Sequence, residues 1–266
     1  MKIISWNVNG LRAISRKGEL AKLLKQEAPE IFLLQEIKAD PSKLKNFPTD
    51  FPLYAQFYHS AQKPGYAGTS IWVKKNLESG NEITNLDLVT GLPKDTDPEG
   101  RVLRLDATWQ KKSIAILSIY FPNGGKSPAA FKGKLDFYGQ VLAYVNSLKK
   151  SKDLVIFAGD LNCAHQAIDL ARPKENVNSI GFLKVERDWL TRYVQAGWVD
   201  VWRQRNPQKE GVYSWWHVIT RARARNVGWR IDYFWLPAKN YNLIQNVCYL
   251  TQQMGSDHCP VLLEIG

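Results

Sequence analysis

Short acid and amide groupings punctuate this chain at the ends of apolar runs. Asn7 follows Ile3-Ile4-Ser5-Trp6, Glu36 follows Ile31-Phe32-Leu33-Leu34-Gln35, and Asp160 and Asn162 follow Leu154-Val155-Ile156-Phe157-Ala158. Tyr120 closes another such run, Asp232 opens one, and Asp257-His258 precedes Val261-Leu262-Leu263. Singly, an Asn or Glu at such a place caps a turn. Their coincidence at strand ends, where side chains project into a crevice, points to one site assembled from many strands.

The residue types suggest metal-assisted attack on a phosphate. Mg2+ is hard and octahedral, and takes one or two protein carboxylates with water and substrate phosphate completing its shell. Glu36 is the leading ligand candidate. Asn7 either orients that carboxylate or lends its carbonyl oxygen, and Asp257 adds a second anion. With no His/Cys set, zinc is not expected. At Asp160-Leu161-Asn162 the acid can orient and deprotonate a water while the amide donates to a phosphoryl oxygen, or the two simply form an Asx-turn. A catalytic His258 needs an orienting partner, and Asp232, costly to bury alone, is the natural one. So paired, a cationic His258 could hold the scissile phosphate. His59, His165 and His217 lack such framing and are expected to be ordinary.

The elements that must position these groups alternate. Lys2–Trp6, Ile31–Gln35, Thr69–Val73, Val102–Trp109, Ser113–Ile119, Leu154–Ala158, Arg230–Leu236 and Val261–Ile265 read as strands. Helical spacing recurs at Leu20, Leu23 and Leu24, from Phe131 to Leu148, and from Val185 to Tyr193. Several strands are joined too closely for helical crossovers, so the fold class expected is α/β, with mixed sheets packed face to face and flanked by helices.

At 266 residues and 44% hydrophobic the chain can bury a large core. Its Pro/Gly-richer segments, Phe47–Pro52, Gly91–Gly100 and Asn123–Pro128, are only loop-length, so one domain over 1–266 is expected. Three scattered cysteines fit neither a disulfide framework nor a zinc cluster, and suit a reducing cytosol. Apolar runs are too short to span a bilayer or form a signal core, so a cytoplasmic protein is expected, nucleoid-associated if prokaryotic. The net charge of +11 calls for a polyanionic partner. Arg221, Arg223, Arg225 and Arg230 interleave with Trp215, Trp216 and Trp229, and such alternation suits phosphates and unstacked bases.

In order along the chain, Ser5-Trp6-Asn7-Val8-Asn9-Gly10-Leu11-Arg12, Leu34-Gln35-Glu36, Tyr120-Phe121-Pro122-Asn123, Gly159-Asp160-Leu161-Asn162, Asn226 to Tyr233 and Gly255 to Pro260 resemble the signature of the exonuclease III type of apurinic/apyrimidinic endonucleases. The shorter pieces also occur across the wider endonuclease/exonuclease/phosphatase superfamily, whereas Asn226 to Tyr233 is more specific to its DNA repair branch. The resemblance implies a four-layer α/β sandwich, expected to act as a monomer, that cuts the backbone 5′ of abasic sites in double-stranded DNA with Mg2+ or Mn2+. It further implies action at 3′ ends as a 3′-5′ exonuclease and end-cleaning enzyme. By the same resemblance the metal set is Asn7, Glu36, Asp160, Asn162 and Asp257, for one ion or two. The catalytic set is Tyr120, Asp160, Asn162, Asp232 and His258. DNA contacts are implied at Arg12, Asn123, Lys126, Asn176, Trp215, Ile219, Arg225, Asn226 and Trp229.

This chain departs from the pattern at three places. Asn9 stands where the mammalian branch carries an acid, Lys126 replaces an arginine with a point charge, and Ser179 replaces an amide near Asn176. The alternatives are a predominantly 3′-5′ exonuclease, a phosphatase or sphingomyelinase of the same superfamily, and a non-catalytic DNA-binding module. The last gives no reason for carboxylates in a site that binds an anion.

Overall fold

A computed structural model describes residues 1–41, 51–75, 82–93 and 97–266. The loops expected at Phe47–Pro52 and Gly91–Gly100 lie partly outside the described residues. In chain order the strands are β1 (Lys2–Asn7), β2 (Ile31–Gln35), β3 (Tyr54–His59), β4 (Thr69–Lys74), β5 (Ile83–Thr90), β6 (Val102–Trp109), β7 (Lys112–Tyr120), β8 (Leu154–Asp160), β9 (Trp198–Asp200), β10 (Asp232–Pro237), β11 (Ile244–Tyr249) and β12 (Val261–Ile265). The helices are α1 (Leu11–Arg16), α2 (Glu19–Glu27), α3 (Pro128–Ser151), α4 (Pro173–Asn176), α5 (Lys184–Gln195) and α6 (Val201–Arg205).

The strands form two six-stranded sheets, ordered β11-β12-β1-β2-β4-β3 and β5-β6-β7-β8-β10-β9. Each is mixed, with one parallel pair at its centre, β1 with β2 and β7 with β8. Side chains alternate between the faces of a strand, and both faces here are apolar because both are covered. Ile3, Leu33, Ile116, Ile156 and Phe234 fill the space between the sheets. Ile4, Trp6, Phe32 and Leu34 pack outward on Leu11 and Ile14 of α1 and Leu20 and Leu23 of α2. Val155, Phe157 and Trp235 pack outward on Val141 and Val145 of α3 and Leu190 and Tyr193 of α5. Helix, sheet, sheet and helix make the expected four layers.

The same alternation carries polar groups into the inter-sheet face. In β1 it runs Ile3, Ser5, Asn7; in β2 Leu33, Gln35; in β7 Ile116, Ser118, Tyr120; in β8 Ile156, Ala158, Asp160. One layer in from the cleft, the buried Gln35 amide donates to Ser5 Oγ at 3.1 Å and Ser118 Oγ at 3.0 Å, joining the sheets without an unpaired donor. Antiparallel β10 and β12 contribute at their N-terminal ends, so every strand delivers its chemistry to the same edge of the sandwich.

The strands missed by the sequence reading, β3, β5, β9 and β11, are the four sheet edges. An edge strand has one neighbour and a partly wet face, so its apolar pattern is broken, as in Ile83-Thr-Asn-Leu-Asp-Leu-Val-Thr90, which also carries a register shift. A second correction concerns Arg230, expected to open a strand: β10 begins at Asp232. Among the described residues no helix is long and apolar enough to cross a membrane.

Candidate active site

Two carboxylates from different sheets share one amide. Asn7 Nδ2 donates to Asp160 Oδ2 at 2.9 Å and to Glu36 Oε2 at 3.1 Å, while its Oδ1 accepts the Asn9 N–H at 3.0 Å. Of the two roles open to Asn7, these bonds support orienting over ligating. Glu36, Asn9 and Asn162 each adopt positive φ, 54°, 45° and 52°. For Glu36, unlike the two asparagines a residue type that rarely adopts it, that conformation is strained, as is common at functional sites. Ahead of Asp160, only glycine fits: a Cβ on Gly159, at φ 143°, would lie 1.9 Å from the Ile119 carbonyl oxygen.

Asp160 and Asp232 are register partners on β8 and β10, both almost fully buried. His258 Nδ1 lies 2.8 Å from Asp232 Oδ2, and its Nε2 lies 3.9 Å from Asp160 Oδ2. Burial by itself would lower the imidazole, but the charge and hydrogen bond of Asp232, helped by Asp160 and Asp257, raise its pKa to about 10. Burial and the neighbouring Asp232 raise Asp160 to about 7, against the pull of His258. The orienting pair expected from sequence is therefore formed, and its imidazole is cationic at neutral pH.

On the other rim, Asp257 accepts from Asn9 Nδ2 at 2.9 Å and Trp215 Nε1 at 3.1 Å. Burial opposes its ionisation, yet His258 and these donors hold it below the ordinary carboxylate value. Tyr120 is kept a phenol, raised well above its usual range by burial and by Glu36 and Asp160. Asn162 Nδ2 donates to the Phe121 carbonyl at 2.9 Å and its backbone N–H to Asp160 Oδ1 at 2.8 Å, the Asx-turn and the site group in one residue.

Glu36, Tyr120, Asp160, Asn162, Asp257 and His258 line an open cleft of about 1370 Å³, with Asn7 and Asp232 buried behind it. Of the expected DNA contacts, Asn123, Lys126, Asn176, Trp215, Arg225 and Trp229 line it too. Lys126 Nζ sits 4.7 Å over the Tyr66 ring, and Asn123 donates to Asn162 Oδ1 at 3.2 Å. Ile219 does not line the cleft; it protrudes beside it, 87% exposed. Arg12 is exposed on α1 outside the cleft. Asn226 is exposed next to the cleft, and its amide donates to the Gly211 carbonyl at 2.8 Å and accepts from Trp216 Nε1 at 3.2 Å.

The arginine cluster also divides. Arg230 is fully buried, pairing Asp169 at 2.8 Å and Asp200 at 2.6 Å. Arg223 donates to the carbonyls of Thr251, Gln253 and Ser256, fastening the loop before Asp257. Arg230 is therefore no surface cation, and Arg223 is only partly exposed. Sequence reasoning missed Lys38, 2.9 Å from Glu36, and Arg101, 4.8 Å over the Tyr120 ring. A basic residue two positions past Glu36 was the available signal for Lys38.

The donor set fits a hard divalent ion. Glu36 and Asp257 offer carboxylate oxygens into the cleft, and the Lys38 ammonium already draws Glu36 Oε1 and Asn9 Oδ1 to one positive charge. Asp160, Asp232 and His258 bring one ligand atom each to within 4.8 Å of one another, with His258 Nδ1 already bonded to Asp232 at 2.8 Å.

The family described as "Endonuclease/Exonuclease/phosphatase family" matches residues 4–258. An exodeoxyribonuclease of Bacillus subtilis is 39% identical over 100% of both chains. Among solved structures, an AP endonuclease from Leishmania major superposes with a TM-score of 0.89 at 28% identity, covering 98% of this chain and 86% of that one. A 3′ phosphatase from Neisseria, bound to product DNA hairpin, gives 0.85 at 26% identity over 100% and 99% of the two chains. The match over residues 4–258, with the 39% identity over two whole chains, shows that this chain belongs to the endonuclease/exonuclease/phosphatase family.

Proposed function

We propose that this chain is a DNA repair phosphodiesterase that hydrolyses the bond 5′ of an abasic site in double-stranded DNA, using Mg2+ or Mn2+. We assign 3′-5′ exonuclease and 3′-end cleaning to the same site, because all three reactions break a phosphate ester beside a deoxyribose. The observation that carries the reading is a buried acid, Asp160, set between an amide-bridged metal candidate, Glu36, and an imidazolium, His258, in a cleft walled by Trp215 and Trp229.

Asp160, raised to about 7, is poised to orient a water and take its proton near neutral pH. As the water oxygen bonds to phosphorus, the bond to the 3′-oxygen breaks, leaving a 3′-hydroxyl and a 5′-phosphate on the abasic side. His258, cationic and fixed by Asp232, offers Nε2–H to a phosphate oxygen as charge develops. Tyr120, held protonated, and Asn162 are further donors to that phosphate. A metal bound by Glu36, with Asp257 near it, would neutralise phosphate charge and stabilise the leaving oxygen. Lys126 and Arg225 hold backbone phosphates, Trp229 and Trp215 face the abasic sugar, and Ile219 wedges the duplex. We place all of this in one catalytic domain, 1–266, acting as a monomer in the cytoplasm, on the nucleoid if the source is prokaryotic.

A labelled duplex panel with abasic, matched 3′-end, 3′-phosphate and uracil substrates in Mg2+ tests the reading. Incision 5′ of the abasic site with a 3′-hydroxyl product is expected. Removal of 3′ nucleotides without internal incision would make the chain a predominant exonuclease, and activity only on lipid or inositol phosphates would overturn the DNA assignment.

A further inference from the structure

Behind the cleft wall, Lys134 of α3 and Glu186 of α5 form an ion pair in which both side chains are fully buried. Neither belongs to the groups described above. The Lys134 ammonium also donates to the Asn162 carbonyl at 2.8 Å. Glu186 Oε2 accepts the N–H groups of Gly181 at 2.7 Å and Leu183 at 3.1 Å. Gly181 is pressed between the two halves of the cleft: a Cβ there would lie 3.2 Å from the Asn162 carbonyl oxygen and 3.3 Å from the Trp229 ring. One end of the pair thus holds the segment of Asn162, and the other holds the segment beneath Trp229.

Two charges taken wholly out of water stabilise a fold weakly, and an apolar pair of similar volume joins two helices as well. What an apolar pair cannot do is bind a carbonyl at one end and two N–H groups at the other. The hold fixes Asn162 in its left-handed turn, at a φ of 52°. We infer that Lys134 and Glu186 are positioning residues that fix the separation of Asn162 from the Gly181–Trp229 wall, so that the phosphate at Asn162 and the abasic sugar against Trp229 are aligned together. This deepens the functional reading above and rests on it.

The test compares wild type, the apolar double variant Lys134→Met/Glu186→Leu, and Glu186→Gln, which keeps one acceptor oxygen. For each, the melting temperature, the Kd for undamaged duplex, and kcat and KM on an abasic duplex are measured. The double variant leaves the Asn162 carbonyl and two N–H groups unpaired, so its melting temperature should fall; assayed well below it, affinity for undamaged duplex should hold while kcat on the abasic duplex falls by about 10- to 100-fold, the scale of a small misplacement of reacting groups. Glu186→Gln should fall between the two. A purely structural pair would lower the melting temperature and leave kcat alone. A folded double variant with kcat within about twofold of wild type overturns the inference, since misalignment costs more than that. If the double variant does not fold, Glu186→Gln assayed well below its melting temperature decides, and an unchanged kcat again overturns it. Wild type inactive on the abasic duplex would overturn the functional reading and this inference with it; active wild type with an unimpaired double variant overturns the inference alone.

Discussion

Asp160 and Asp232 are register partners across β8 and β10, so pairing of those strands by itself sets two carboxylates side by side in a buried place. The imidazole of His258 then lies against both. The arrangement costs stability at one residue and supplies chemistry at the same one.

Asp160 should show that cost directly. Its folded-state pKa of about 7 lies above the ordinary 3.8, so it favours the folded state fully below 3.8, and the benefit is lost as pH rises through about 7. In metal-free buffer Asp160→Asn should therefore melt above wild type at pH 8, at about 2–4 °C per kcal/mol relieved, with the gap closing toward pH 4. The same variant should bind DNA and lose cleavage by at least about 10²-fold. Calorimetry at both pH values with EDTA checks the first part, and an equal or lower melting temperature at pH 8 would contradict it.

The His258–Asp232 bond predicts a titration. The His258 pKa of about 10 exceeds the ordinary 6.5, so the pair's stabilisation is complete below 6.5 and lost as pH rises through about 10. Asp232→Asn removes the charge that overcomes burial, and the imidazole should then titrate near or below its ordinary value. An NMR titration of the ring protons reads this; a titration still near 10 in the variant would assign the shift to another group.

Glu36 is expected to set the metal requirement. Glu36→Ala should raise the Mg2+ concentration for half-maximal activity by at least about tenfold, the scale seen even for outer partners of metal ligands. An unchanged metal titration would remove Glu36 from the ligand set.

Buried and exposed arginines should separate cleanly. Arg230→Met leaves Asp169 and Asp200 as uncompensated buried charges, and should cost about 3–5 kcal/mol of stability. Arg225→Ala should leave stability unchanged, weaken duplex binding, and reduce the steepness of its salt dependence. Thermal melts and binding at two salt concentrations distinguish them, and loss of DNA affinity in a fully stable Arg230 variant would refute the division.

The sequence by itself determined the central strands and the polar groups at their ends. Strands buried on both faces are long apolar runs, and acids or amides at their ends are visible because they interrupt such runs, as Asn7, Glu36 and Asp160 do. It also paired His258 with Asp232, since a buried acid beside an aromatic run needs a partner. Edge strands such as β5 and β11 were illegible because one wet face breaks their pattern. Only the tertiary structure decided which charges are buried: Arg225 and Arg230 look alike in sequence, yet one lines the cleft and the other neutralises two buried acids. Asn7 was likewise undecided until Asp160, 153 positions away, was brought within 2.9 Å of its amide. Pairing across the sandwich is a long-range packing outcome, and no local pattern of residue types encodes which face of which sheet a side chain will meet.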